Sequence, residues 1–164
     1  MKTALLARAA LLSAVAIVLM AIGGTAASVR LTCAAAAGIC VMLCACDGGP
    51  RYGLLSFATV AVLSAVLPLP RTAVGAFVLF FGWYGALFPT LCGIKSRILS
   101  RVIRTAAFNA ALAAGLFLTY RLIETRPPAL ITVGAFAAGN IALIVFDKAL
   151  EMIMLLYKQR FQKK

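Results

Sequence analysis

Two asparagines, Asn109 and Asn140, are the only ones in the chain, and both sit within long uncharged apolar stretches. An unpaired amide in hydrocarbon costs several kcal/mol, so each side chain must face a helix interface or a cavity. Two outcomes satisfy that demand. The amides can bond across a pair of helices, or they can line a substrate pocket together with Trp83 and Tyr84. In such a pocket the aromatic faces would hold a flat ligand and the amides would read its polar edge.

Catalytic chemistry is poorly provided for. The chain has no histidine, so neither a serine–histidine pair nor a histidine-bound metal can be built from it. No GxxxxGK[ST] phosphate loop occurs, which excludes ATP hydrolysis by this chain through that motif. The four acids, Asp47, Glu124, Asp147 and Glu151, all lie outside the uncharged runs, whereas proton and cation relays place ionisable groups at membrane depth. Cys33, Cys40 and Cys44 share a helical face at spacings of seven and four, which ionised thiols could use for a metal. With Cys46 and Cys92 they make an odd set of five in apolar surroundings, the setting in which cysteine packs as a small apolar residue. The reading is a non-enzyme with no metal and no cofactor.

The elements that carry these residues follow from the uncharged runs, Ala9 to Val29, Leu31 to Cys46, Tyr52 to Pro70, Thr72 to Ile94, Thr105 to Tyr120 and Pro127 to Phe146. They measure 21, 16, 19, 23, 16 and 20 residues, against the roughly 20 that a helix needs to cross a bilayer core of about 30 Å. The composition agrees: 64% hydrophobic and 12% charged, where soluble domains carry about 25% charged residues. The net charge of +12 comes from cations that punctuate the apolar runs and form no basic domain, so nucleic acid is excluded as a partner and the lipid bilayer is the expected surrounding.

The expected fold class is all-α, a polytopic transmembrane bundle of six helices forming one integral membrane domain over 1–164. The helices are expected at 9–29, 31–46, 52–69, 72–94, 105–121 and 128–157. Asp47-Gly48-Gly49-Pro50-Arg51 is a turn by composition, and Pro68-Leu69-Pro70-Arg71 closes the third run. Gly23-Gly24 loosens the end of the first helix, whose basic start and small residues Thr25, Ala26 and Ala27 also fit a cleavable signal peptide. Retention in the membrane is the reading adopted, since further apolar runs follow. The fourth run gathers Phe77, Phe80, Phe81, Trp83, Tyr84 and Phe88 before meeting Pro89, which is expected to end or bend the helix.

Residues 95–104 read as a basic amphipathic connection, with Lys95, Arg97, Arg101 and Arg104 on an anionic lipid surface and Ile94, Ile98 and Ile103 below it. Small residues recur at intervals of four, in Ala106, Ala110 and Ala114 and again in Ala10 and Ala14, a spacing that lets helices approach closely in lipid. Ala10 with Ala14 is therefore a candidate contact for a partner helix, or internal packing. Six spans with the N-terminus inside put Lys2, Arg8, Arg51, Lys95, Arg97, Arg101, Arg104, Lys148, Lys158, Arg160, Lys163 and Lys164 on one side, against Arg30, Arg71, Arg121 and Arg126 on the other. Twelve against four places both termini in the cytoplasm of a cell whose inner membrane holds the protein.

Several local patterns resemble a family. They are Arg8 before an alanine-lined first helix, the Asp47-Gly48-Gly49-Pro50-Arg51 turn, Phe80-Phe81-Gly82-Trp83-Tyr84 ahead of a basic break, Phe108-Asn109-Ala110-Ala111, and Gly139-Asn140 leading to Phe146-Asp147. The chain resembles an uncharacterised six-helix membrane protein family of Firmicutes, which is similar in size and hydropathy to the substrate-binding S components of energy-coupling factor (ECF) transporters. The resemblance implies an S-component-like bundle that captures a vitamin or other micronutrient and pairs with a coupling subunit and two cytoplasmic ATPases. It also implies that Ala10 and Ala14 contact the coupling subunit. The outer loops are shorter and less polar than those of members with known ligands. The competing class is a non-transporting membrane structural or interaction protein.

Overall fold

A computed structural model of the protein describes residues 2–24, 26–93, 97–123 and 129–161. Among them are six helices and no strand: α1 Lys2–Ile22, α2 Arg30–Gly48, α3 Pro50–Val66, α4 Arg71–Cys92, α5 Arg97–Ile123 and α6 Ala129–Phe161. The all-α expectation is met there. Four helices are long and apolar enough to cross a membrane, over Thr3–Ile22, Arg30–Gly48, Arg71–Cys92 and Ile98–Leu118. The apolar α3 is shorter, at 17 residues.

The boundaries differ from the expected ones for local reasons. The first helix stops at Ile22, seven residues early, because Gly23 and Gly24 close it with bonds to Leu19 O and Ala21 O; a separate single turn covers Ala27–Val29. Proline is tolerated at the start of a helix, where its missing N–H is not needed, so α3 begins at Pro50 and not at residue 52. Between α2 and α3 the chain reverses at Gly49, whose φ of 85° lies in the region glycine adopts at little cost. Pro89 neither ends nor interrupts the fourth helix, which continues to Cys92; its irregularity lies upstream, in a π turn at Phe77–Phe81. There the Gly82 N–H bonds Phe77 O, five residues back. Residues 97–104, expected as part of a surface connection, are the first two turns of α5 and run unbroken into the apolar segment.

The chain divides into two compact units, Met1–Gly93 and Ile94–Lys164. In the first, α2 is the central helix and packs against α1, α3 and α4. Its small residues permit this: Ala34, Ala37, Cys40 and Val41 join Ala16, Met20, Val60, Ala73, Phe77 and Ala86 in the core. At the α2–α4 crossing, Gly38 and Gly85 meet backbone to backbone. A Cβ on Gly38 would lie 2.6 Å from Phe81 O, and one on Gly85 would collide with Gly38 O. Such close approach is how helices gain attraction in lipid, where burial of apolar surface gives no advantage. The α1–α3 contact is polar at one point, the buried pair Ser13 Oγ and Ser56 Oγ at 2.7 Å.

The second unit is the antiparallel pair α5–α6. Its register is set by three contacts: Arg104 with Asp147, Asn109 with Asn140, and Gly139 against Phe108 and Leu112. In each the two residue numbers sum to about 250, as an antiparallel pairing requires.

Candidate functional site

The α5–α6 pair holds the densest polar chemistry among the described residues. Asn109 Nδ2 donates to Asn140 Oδ1 at 3.1 Å, and Asn140 Nδ2 donates to Asn109 Oδ1 at 3.0 Å. Each amide also donates its second hydrogen to a carbonyl one turn back, Asn109 to Thr105 O at 2.9 Å and Asn140 to Phe136 O at 2.8 Å. Every amide hydrogen is therefore used. Of the two outcomes open to these residues, the bond across helices is the one formed.

Toward the start of α5 lies a second polar layer that the sequence reading did not assemble. Arg104 is buried at 7% exposure, and its guanidinium reaches Asp147 Oδ2 at 3.3 Å and Glu151 Oε1 at 3.5 Å. Nε donates to Ser100 O at 3.3 Å and Nη2 to Ser100 Oγ at 3.1 Å, which orients the planar fork. Asp147 and Glu151 stand four residues apart, on one face of α6, and both reach the same guanidinium nitrogen, Nη1. Glu151 is also 3.9 Å from the exposed Lys148. A buried cation without partners is prohibitively costly, and two carboxylates remove that cost. This corrects the expectation for Arg104 as a lipid contact, since its charge is spent inside the protein. Arg101 is exposed. Arg97 begins the helix, and Lys95 lies outside the described residues. The signal for the missed layer was present: Arg104 precedes Asn109 by five residues and Asp147 follows Asn140 by seven, so antiparallel helices joined at the asparagines bring the charges together.

On α6 the stripe Asn140, Leu143, Asp147, Leu150 and Met154 alternates spacings of three and four, the pattern of a helix seam. Leu143, Leu150 and Met154 are buried. Leu143 thus separates the two polar layers at Asn140 and Asp147, and Leu150 and Met154 continue the seam as apolar contacts.

Trp83 and Tyr84 belong to the first unit, so the four proposed substrate residues are split between the two units. Tyr84 is fully buried and enclosed by rings: Phe80 stacked at 4.6 Å, Trp83 edge-on at 6.3 Å and Phe88 tilted at 5.8 Å. The indole N–H of Trp83 donates to Leu79 O at 2.8 Å. That carbonyl lies within the π turn, so the half-buried indole finds its partner one turn back on its own helix. The aromatic group is accordingly a packed layer.

Ala10 and Ala14 are both exposed, whereas their neighbours Ser13, Ala16 and Met20 are buried. Among the described residues, packing within the first unit therefore does not use the pair. Ala7 is exposed three residues before Ala10, so the small stripe covers Ala7, Ala10 and Ala14, the first half of α1; beyond it stand the larger Ile17 and Val18. At the foot of α1, Arg8 pairs loosely with Asp47 at 4.0 Å, and Cys44 Sγ points to Ala9 O at 3.9 Å. The free cysteines Cys33, Cys40 and Cys44 are buried in α2, and no group of three metal-ligating side chains occurs among the described residues.

No protein-family model, curated protein or solved structure matches this chain.

Proposed function

We propose that the protein is a multi-pass integral membrane protein whose work is to bind another membrane protein through the outer face of α1. The observation that carries this is the exposed stripe Ala7, Ala10 and Ala14 on a helix whose opposite face is already packed. In lipid, small residues at helical spacing serve close approach of a second helix, and here no helix of the first unit takes that place. Six spans with both termini in the cytoplasm are the topology adopted. The Arg8–Asp47 pair puts the start of α1 and the end of α2 at one end, beside Arg51, while Gly24 lies against Pro70 at the other. Within the first unit this sets Arg8 and Arg51 at one end and Arg30 and Arg71 at the other, the alternation on which the cation count is taken.

In its narrower form the reading is the substrate-binding component of an ECF-type vitamin or micronutrient transporter, with Ala10 and Ala14 against the coupling subunit. The exposure of both alanines supports it. The second reading, a membrane structural or interaction protein, is favoured by the mutual pairing of Asn109 and Asn140, which commits both amides to each other. Purification of the full chain in mild detergent separates the two. A coupling subunit with its ATPases, or a bound small nutrient, selects the transporter; a different membrane partner selects the second reading.

A further inference from the structure

We propose that α5 carries a site for one anionic phospholipid, its phosphate on Arg101 and an acyl chain along Val102 and Ala106. The inference rests on α5 crossing the membrane. An open groove runs along a single stripe of the helix, lined by Ile98, Arg101, Val102, Thr105, Ala106 and Asn109. At 1.5 Å per residue it covers about 16 Å, on the scale of an acyl chain.

Its chemistry is graded from end to end. At the outer end Arg101 is exposed, and among the described residues no acid forms an ion pair with it, unlike Arg104 three residues on. Helical side chains lean toward the helix N-terminus, which here carries the guanidinium out of the apolar span that begins at Ile98. That is the level of lipid phosphates, and a guanidinium binds phosphate oxygens in a two-pronged fashion. The Thr105 hydroxyl stands one turn further in. Along the groove, Ile98 and Val102 are 79% and 58% exposed, an apolar surface that a chain can cover. At the inner end Asn109 offers no unused amide hydrogen, both being held by Thr105 O and Asn140 Oδ1. A charged mouth, an apolar bed and an inner amide with no hydrogen to spare suit an amphiphile better than a polar nutrient.

The test is native mass spectrometry of the full chain in mild detergent, titrated with phosphatidylglycerol or with phosphatidylcholine of the same chains. Wild type is expected to retain phosphatidylglycerol preferentially, Arg101→Gln to bind it about fivefold more weakly, and Arg101→Lys to keep most of the binding. Ala106→Phe fills the groove without changing charge and is expected to weaken retention as well. It decides the matter if Arg101→Gln cannot be purified. Equal retention of phosphatidylglycerol by wild type and the tested variant overturns the proposal, as does equal retention of the two lipids by wild type. Carbonate extraction of the same membranes separates the failures: release of the protein removes the membrane reading and the lipid site together, whereas retention with unchanged lipid binding removes the site alone.

Discussion

Asn109 and Asn140 satisfy each other. Their amides exchange two hydrogen bonds, at 3.1 and 3.0 Å, and place α5 and α6 in one register. Polar pairs of this kind in membrane helices contribute about 0.6 to 2 kcal/mol. Asn109→Leu or Asn140→Leu leaves the other amide short of a partner and is expected to lower the thermal midpoint in detergent. The double variant is expected to recover part of the loss, because both unsatisfied groups are gone. Additive losses in the double-mutant cycle would show that the two residues act separately, as in a ligand pocket.

The layer at Arg104 makes a sharper demand. Arg104→Gln strips the cation from between Asp147 and Glu151 and leaves two carboxylates facing each other. Removing one partner of a buried ion pair costs about 3 to 5 kcal/mol, and the partial exposure of Glu151 places the expected loss at the lower end. Asp147→Asn is expected to cost less, since Glu151 still neutralises the arginine. Chemical denaturation of the purified variants measures both.

At the α2–α4 crossing the geometry leaves no room for a methyl group. Gly85→Ala is expected to destabilise the first unit by about 1 to 3 kcal/mol, the usual cost of overpacking, while Gly75→Ala, in open space on α4, changes stability little. Melting curves of the two variants form the comparison.

Topology can be tested independently of function. A reporter enzyme active only in the cytoplasm, fused after Lys164, is expected to be active, and one fused within the short segment between α5 and α6 is expected to be silent. The reverse pattern would invert the cation count on which the assignment rests.

Much of the architecture was legible because lipid allows so few ways to bury a backbone. Uncharged runs located the second, third and fourth helices to within about three residues, while the first lies seven residues earlier than its run and the fifth starts eight residues before its own. Residues 97–104 were misread because cations among isoleucines have the same periodicity on a surface helix as in the first turns of a spanning one. Arg104 differs from Arg101 only in which way it faces, a matter of register against α6 that no single-helix pattern contains. The aromatic group misled for a related reason. Trp83 and Tyr84 have the composition of a ligand box, but the π turn and the bulk of Phe80 and Phe88 direct them into packing. Ala10 and Ala14 could be recognised by spacing, and only the packed structure shows that both are exposed on the first unit.

The most direct measurement of the docking proposal is co-purification with wild type and with Ala10→Leu/Ala14→Leu, both full-length and extracted in mild detergent. Leucines at these exposed positions are tolerated by lipid but hold a partner backbone away. The expected result is a second membrane protein in stoichiometric amount with wild type and its loss from the double variant, at unchanged yield and thermal midpoint. Wild type eluting alone, or the same partner recovered with both proteins, would contradict docking through α1.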